Sequence, residues 1–361
     1  MLVSPRKPEE LEFFEKELLR EFMKAATVKG FGSTAKVVVA EKEKPKPGKH
    51  DVLVKVYCSS VNPKDWKLNK VITSLVPDVG MRPFIIGDDL SGIVVETGSE
   101  VTEFEVGDEV YGMDMRLRTS ACAEYAKIAI KRIAKKPRNI SHVEAGVTPL
   151  AALTALQGFK VAGLEEGQRI LIIGASGGVG TYAVQIAKAW GAEITAVCSY
   201  RNIDLVRSLG PDQIIDYTKE DFTKNKDSFD VIFDATSYES AKTCASLMRE
   251  GGVFVTTFGQ SKGFYSAIIS KLLPVENKTK SVSVESYTEH LNELTELFEK
   301  GKLKTILDSE VSFEDIDEAY QRSISGRAKG KIAIKILEGT DKLTCQYPGD
   351  YCPPTSTDNW S

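Results

Sequence analysis

The sequence is poor in what metal centres and disulfide frameworks are made from. Its six cysteines, Cys58, Cys122, Cys198, Cys244, Cys345 and Cys352, contain no CxxC pair. Only Cys345 and Cys352 lie close enough to pair locally, so reduced thiols suit the pattern better than a disulfide scaffold or a zinc site. The only three histidines, His50, His142 and His290, stand at no ligand spacing, which leaves them structural or solvent-exposed roles. No uncharged apolar run approaches the roughly 20 residues of a membrane span, and no apolar signal core opens the chain. Charge of one sign is also lacking: 47 basic side chains face 51 acidic ones, net −4, which argues against nucleic acid or an anionic membrane as partner. The expectation is a cytoplasmic protein without a transmembrane segment. With 361 residues, 42% of them hydrophobic and 27% charged, the chain has enough apolar surface for two domains.

Within it the texture changes. Residues 1–22 read as an appendage: Leu11, Phe14, Leu18, Leu19 and Phe22 fall at helical spacing among Glu and Lys, too acidic for a mitochondrial presequence. From Met23 to about Ala145, short β-type runs such as Asp51 to Tyr57, Ser91 to Glu96 and Ala123 to Ala129 are punctuated by Pro and Gly, the pattern of a β-rich domain. Beyond Ser141, apolar strands at 170–173, 194–197, 231–233, 253–257 and 281–284 alternate with helical segments, which predicts a parallel sheet. Two helices (289–300 and 313–324), a last strand at 331–337 and a polar tail over 338–361, expected to be disordered, complete the chain.

The strongest signal is Arg169-Ile-Leu-Ile-Ile-Gly-Ala-Ser-Gly-Gly-Val-Gly180, an apolar strand running into a glycine turn and then the helical segment Thr181 to Trp190. Alone, such glycines describe a structural turn; between strand and helix they describe a dinucleotide site. Ser176, Gly177, Gly178, Val179 and Gly180 would cradle the diphosphate, Gly177 for close approach and Gly180 for helix–strand packing, although Ala175 stands where the usual first glycine would be. The next strand ends at Cys198-Ser-Tyr-Arg-Asn202. An NAD enzyme carries an acid there for the ribose hydroxyls; Ser199 occupies that place, and Arg201 offers a guanidinium to a 2′-phosphate. NADPH is therefore the expected cofactor. The competing account makes Arg201 a solvated helix cap.

These residues, together with Asn62-Pro-Lys-Asp-Trp-Lys67, Gly87-Asp-Asp-Leu-Ser-Gly92, Tyr182-Ala-Val-Gln-Ile-Ala-Lys188, Ile215-Asp-Tyr217 and Gly326-Arg-Ala-Lys-Gly-Lys331, resemble the medium-chain dehydrogenase/reductase superfamily. The resemblance is to its zinc-free quinone oxidoreductase and enone reductase branch, over about Met23 to Leu337. It implies an α/β fold, with a GroES-like β-barrel catalytic domain (23–144 and 286–337) and a Rossmann doubly wound parallel-sheet domain binding NADP (145–285), between an N-terminal helical extension (1–22) and the tail. The family's catalytic zinc positions correspond to Asn62, Asp88 and Leu150, poor ligands as a set, and Gly107-Asp-Glu-Val-Tyr-Gly112 leads on without the four-cysteine structural lobe. By the same resemblance Asn62 and Asp65 lie on the loop facing the nicotinamide and its ribose, with Lys67 alongside the cofactor, and Thr154 reaches the nicotinamide end. Tyr217 covers the adenine side, Phe258 and Gly259 pass the nicotinamide, Arg327 nears the adenosine phosphate, and Asn202, closing the Cys198–Asn202 stretch, is counted with the cofactor-binding residues. The plainer alternatives are a turn at Asn62, an exposed helical turn at Asp65 and Lys67, a self-satisfied helix hydroxyl at Thr154, packing at Tyr217 and a surface charge at Arg327.

Without a Lewis acid nothing polarises a plain ketone, so the substrate must already be electrophilic: a quinone or an α,β-unsaturated carbonyl. Tyr57, Tyr111, Tyr265 and solvent are the candidate proton donors. A homodimer joined through edge strands near 281–284 is expected by analogy. The competing functions are a non-catalytic NADPH-binding protein on the same fold and a trans-2-enoyl thioester reductase.

Overall fold

In the computed structural model, the described residues are 21–29, 36–67, 86–115, 121–224, 226, 228–257 and 279–337. Among them lie three sheets. The helical extension at 1–20, the stretch containing Phe258, Gly259 and Tyr265, and the tail lie outside the described residues. Phe22, assigned to the extension from its helical spacing, instead opens strand β1 (Phe22–Lys29), which pairs antiparallel with β2 (Lys36–Glu43) in full register from Phe22↔Glu43 to Lys29↔Lys36. Alternate β1 side chains enter a core with Leu53 and Tyr125, and that packing sets the period.

The barrel sheet contains β3 (Asp51–Ser60), β4 (Asp89–Thr97), β5 (Glu109–Met113), β6 (Tyr125–Ala129), β7 (Ile133–Lys135), β14 (Leu307–Ser312) and β15 (Lys331–Lys335), in the order β14-β15-β3-β4-β5-β7 with β6 on β3. The strand that ends the described chain therefore lies beside β3, with Ala333 opposite Ser60. This register brings Lys331 to the loop that follows β3.

The second sheet is wholly parallel: β8 (Arg169–Ile173), β9 (Glu193–Cys198), β10 (Gln213–Asp216), β11 (Phe229–Asp234), β12 (Met248–Thr257) and β13 (Thr279–Val282), ordered β10-β9-β8-β11-β12-β13. The chain leaves β8 toward β9 and crosses back to β11 on its other side, so a crevice opens at the carboxyl ends of β8 and β11. β8 is a run of β-branched and Leu residues because both its faces are covered. Sequence periodicity missed two strands, β10 and β14; both are short and carry polar residues. Helix α1 (His142–Gly146) has a capping box between Ser141 and Glu144. Helix α2 (Pro149–Ala162) opens with Pro at its first turn and ends on Gly163 in the left-handed region (φ +73°). Its Phe159 meets Phe233 edge-on at 5.2 Å, a burial worth about 1.5–3 kcal/mol. Helix α3 (Gly178–Ala189) starts earlier than the expected Thr181. Helices α4 (Ile203–Ser208), α5 (Ala241–Cys244), α6 (Thr288–Glu299) and α7 (Ile316–Ile324) follow. Leu291, Leu294 and Phe298 of α6 share one core with α2, β8 and the barrel residues Tyr111 and Met113, so the two sheets are joined by continuous apolar packing.

Candidate active site

The glycine turn is shaped by main chain. Gly174, left-handed at φ +80°, and Ala175 both donate to the carbonyl of Val197 (3.1 and 3.0 Å), hooking the turn onto β9. A Cβ on Gly180 would lie 2.1 Å from the Gly174 oxygen, so only glycine lets α3 begin so close to β8. Gly177 is different: the nearest atom to a Cβ there is 3.5 Å away, and nothing in the protein requires a glycine. What it keeps clear is the space above the N-terminus of α3, which no side chain caps. Open amides, a positive dipole end and a backbone free of side chains fit a diphosphate. Ser176 accepts a hydrogen bond from Asn202 Nδ2 (2.8 Å), while the buried Asn202 Oδ1 has no partner, an acceptor of the kind a ribose hydroxyl satisfies.

At the end of β9, Ser199 is extended and partly exposed. Arg201 is exposed, its Nε 3.3 Å from Tyr200 Oη and its guanidinium over the Tyr200 ring. Tyr217 is 57% exposed, so packing does not explain it. Arg327 is exposed as well. The structure adds a cation that sequence reasoning missed: Lys329 donates to the Arg201 carbonyl at 3.4 Å. Asp216, opposite Cys198 on β10, uses Oδ1 to accept from Thr218 N and Oγ1 (3.0 and 2.7 Å).

The opposite end is built from buried side chains. Asn62 follows β3 with its amide committed: Nδ2 donates to Asp89 Oδ2 (2.9 Å) and Ser60 Oγ (3.2 Å), and Oδ1 accepts from Lys331 Nζ (2.5 Å). Asp89 is fully buried, and besides Asn62 its carboxylate accepts from Ser60 Oγ (2.5 Å), Lys331 Nζ (3.3 Å) and the amide of Leu150 in the first turn of α2 (2.7 Å). Asp65 is buried rather than on an exposed turn. It accepts from the Asn62 main-chain N–H (2.8 Å), and burial pushes its carboxyl up to about 6 against the opposing charge of Lys64. Burial and the neighbouring Asp65 also hold Asp88 well above the usual carboxylate range, although Lys64 pairs with it at 2.6 Å. Lys67 is half-buried, lies over the Trp66 ring, and is lowered by desolvation. Thr154 donates to the Leu150 carbonyl (2.6 Å), the bond of a helix-interior hydroxyl. Tyr111, considered above as a proton donor, is removed from that role: it is buried and donates to the Leu291 carbonyl (2.6 Å). Tyr57 stacks on His142, itself buried between Ser91 and Glu109.

Ser60, Asp89, Lys329 and Lys331 thus join the site without having been singled out. Three of them lie in motifs quoted for the resemblance, but nothing local pairs residues 242 positions apart. Of the three zinc positions implied above, Asn62 is tied up as an amide, Asp88 is paired with Lys64 and Leu150 is apolar. Among the described residues no group of three His, Cys, Asp or Glu could hold a metal ion.

A GroES-like domain joined to a Rossmann sheet whose strand β8 runs through a glycine turn into an uncapped helix start defines a dehydrogenase or reductase built for a nicotinamide cofactor. Residues 48–188 match the alcohol dehydrogenase GroES-like domain and residues 209–334 the zinc-binding dehydrogenase model. The chain is 35% identical to the chloroplastic quinone-oxidoreductase QR1 of Triphysaria versicolor, over 87% of this chain and 99% of that protein. It is 34% identical to the 2-methylene-furan-3-one reductase of Solanum lycopersicum, over 78% of this chain and 71% of that protein. The solved structure of the quinone oxidoreductase from Coxiella burnetii superposes with a TM-score of 0.77 at 27% identity, covering 88% of this chain and all of that one. The chain belongs to the medium-chain dehydrogenase/reductase superfamily, in its quinone oxidoreductase branch.

Proposed function

We propose that the protein is an NADPH-dependent reductase of quinones or α,β-unsaturated ketones and aldehydes that works without zinc. The observation that carries the cofactor preference is the end of β9, where Ser199 stands in the place of an acid, Arg201 follows it, and Lys329 reaches the Arg201 carbonyl from a second segment. A carboxylate there would repel a 2′-phosphate; these groups attract it. Ser176 to Gly180 would hold the diphosphate, Asn202 and Tyr217 the adenosine ribose and base, and Arg327 the adenosine phosphate. Phe258 and Gly259 would pass the nicotinamide. When bound, the cofactor supplies the hydride. The chain's own residues orient it: Asn62, locked at both ends of its amide, Asp65 and Lys67 would fix the loop against the nicotinamide face, and Thr154 would close the same end.

The absence of any polarising metal from this account is what demands an electrophilic substrate, and QR1 and the furanone reductase carry names consistent with one. We place the barrel at 23–144 and 286–337, now extended to Phe22, and the cofactor domain at 145–285. A homodimer through the β13 edge follows by analogy, and a monomeric mass in solution would refute it. A cytoplasmic setting or an association with an organelle, as the chloroplastic name of QR1 has it, belongs to the same reading; among the described residues no helix is long and apolar enough to cross a membrane. The test is NADPH oxidation by the purified chain with a quinone, an enone and an enoyl thioester in parallel. Turnover of either of the first two supports the proposal. Turnover of the thioester alone assigns an enoyl reductase, and silence with all three while NADPH binds makes this a cofactor-binding protein without that chemistry.

A further inference from the structure

The two residues Gly330 and Lys331 touch both ends of the crevice. The Gly330 amide donates to the carbonyl of Ser176 in the phosphate turn (3.0 Å), and the Lys331 stem lies against Gly178, its Cδ 3.0 Å from where a Cβ would stand. The same side chain ends on Asn62 Oδ1 at 2.5 Å and Asp89 Oδ2 at 3.3 Å, at the opposite end. Lys331 is 4% exposed and Asp89 not at all. Burying such a pair is a poor route to stability, because desolvation consumes most of the Coulombic gain and apolar replacements often serve as well. The pair instead fixes geometry. Asp89 gathers β3 through Ser60, the Asn62 loop, β15 through Lys331 and the first turn of α2 through Leu150.

We propose that Lys331, held by Asp89, is a positioning residue that couples the seating of a dinucleotide on the phosphate turn to the setting of the Asn62–Lys67 loop against its nicotinamide. This rests on the dinucleotide reading of the turn. Loss of the ammonium leaves the adenosine end intact and lets the Asn62 loop drift, and misplacement by about 1 Å costs roughly 100-fold in rate.

The experiment compares the full-length parent with Lys331→Met, Lys331→Arg, Asp89→Asn and the double variant Asp89→Asn/Lys331→Met. Three quantities are read: calorimetric affinity for 2′,5′-ADP, which lacks the nicotinamide; fluorescence of bound NADPH, which reports the nicotinamide's surroundings; and kcat with a quinone. For Lys331→Met the expected result is 2′,5′-ADP affinity within about twofold of the parent, nicotinamide emission shifted toward that of free cofactor and kcat reduced about 100-fold, with partial recovery in Lys331→Arg. The double variant should be no slower than Lys331→Met, since the two residues act as one unit. If Lys331→Met does not fold, Asp89→Asn must show the same split. Unchanged emission and kcat, or 2′,5′-ADP affinity falling in step with kcat, overturns the proposal. A parent that binds 5′-AMP but not 2′,5′-ADP refutes the NADPH preference instead, and the Lys331 comparison is then read with NADH and 5′-AMP.

Discussion

The two ends of the crevice are built by opposite means. The end proposed for the diphosphate is main chain: a left-handed Gly174, an uncapped helix start, a Gly180 that packing requires and a Gly177 that it does not. The end proposed to face the nicotinamide is side chain: Ser60, Asn62, Asp89 and Lys331, buried and satisfied by one another. A main-chain site tolerates any sequence that keeps its glycines, whereas a side-chain site depends on each partner remaining in place.

The sharpest way to break this contrast lies within the turn itself. Gly180→Ala should cost about 3 kcal/mol in an unfolding titration, because its methyl meets backbone that cannot move aside. Gly177→Ala, only three residues earlier and at an ordinary φ of −82°, should leave stability within about 0.5 kcal/mol while weakening NADPH binding by roughly 10-fold or more, measured by calorimetry, since the methyl enters space the diphosphate needs. Equal behaviour of the two variants would erase the distinction between a packing glycine and a ligand glycine. At the ribose end, Arg201→Ala should raise the KM for NADPH about 10-fold and leave that for NADH little changed; equal changes would return Arg201 to the role of a solvated cap. The smallest effect concerns the buried loop. The folded-state pKa of Asp65 is raised, chiefly by burial, from an ordinary 3.8 to about 6. Its favourable contribution is therefore complete below the unfolded value and lost as pH rises through about 6. Asp65→Asn should remove that slope, gaining a few degrees in thermal midpoint near pH 8 and little below the unfolded value of 3.8. A parallel pH dependence in parent and variant would show that Asp65 does not titrate in this range.

The contrast also explains what could be read from the chain. The turn was legible because strand, glycines and helix are contiguous over 169–189, and local sterics dictate their types. Even there, the helix start was placed three residues late, since glycines at 178 and 180 disguise a helical turn. Asn62 and Asp65 were legible only through resemblance. Their burial and partners depend on β15 pairing with β3, a contact between distant parts of the chain that no window of sequence contains. Lys331 entered only as the end of the Gly326–Lys331 stretch, with no role of its own, and Tyr111 only as a candidate proton donor, because burial is decided by packing that periodicity does not describe.

The account stands or falls on calorimetry of the purified chain with NADPH and NADH. It predicts one NADPH bound per chain, more tightly than NADH, with the difference abolished in Arg201→Ala. No heat with either nucleotide, or tighter binding of NADH, would contradict it.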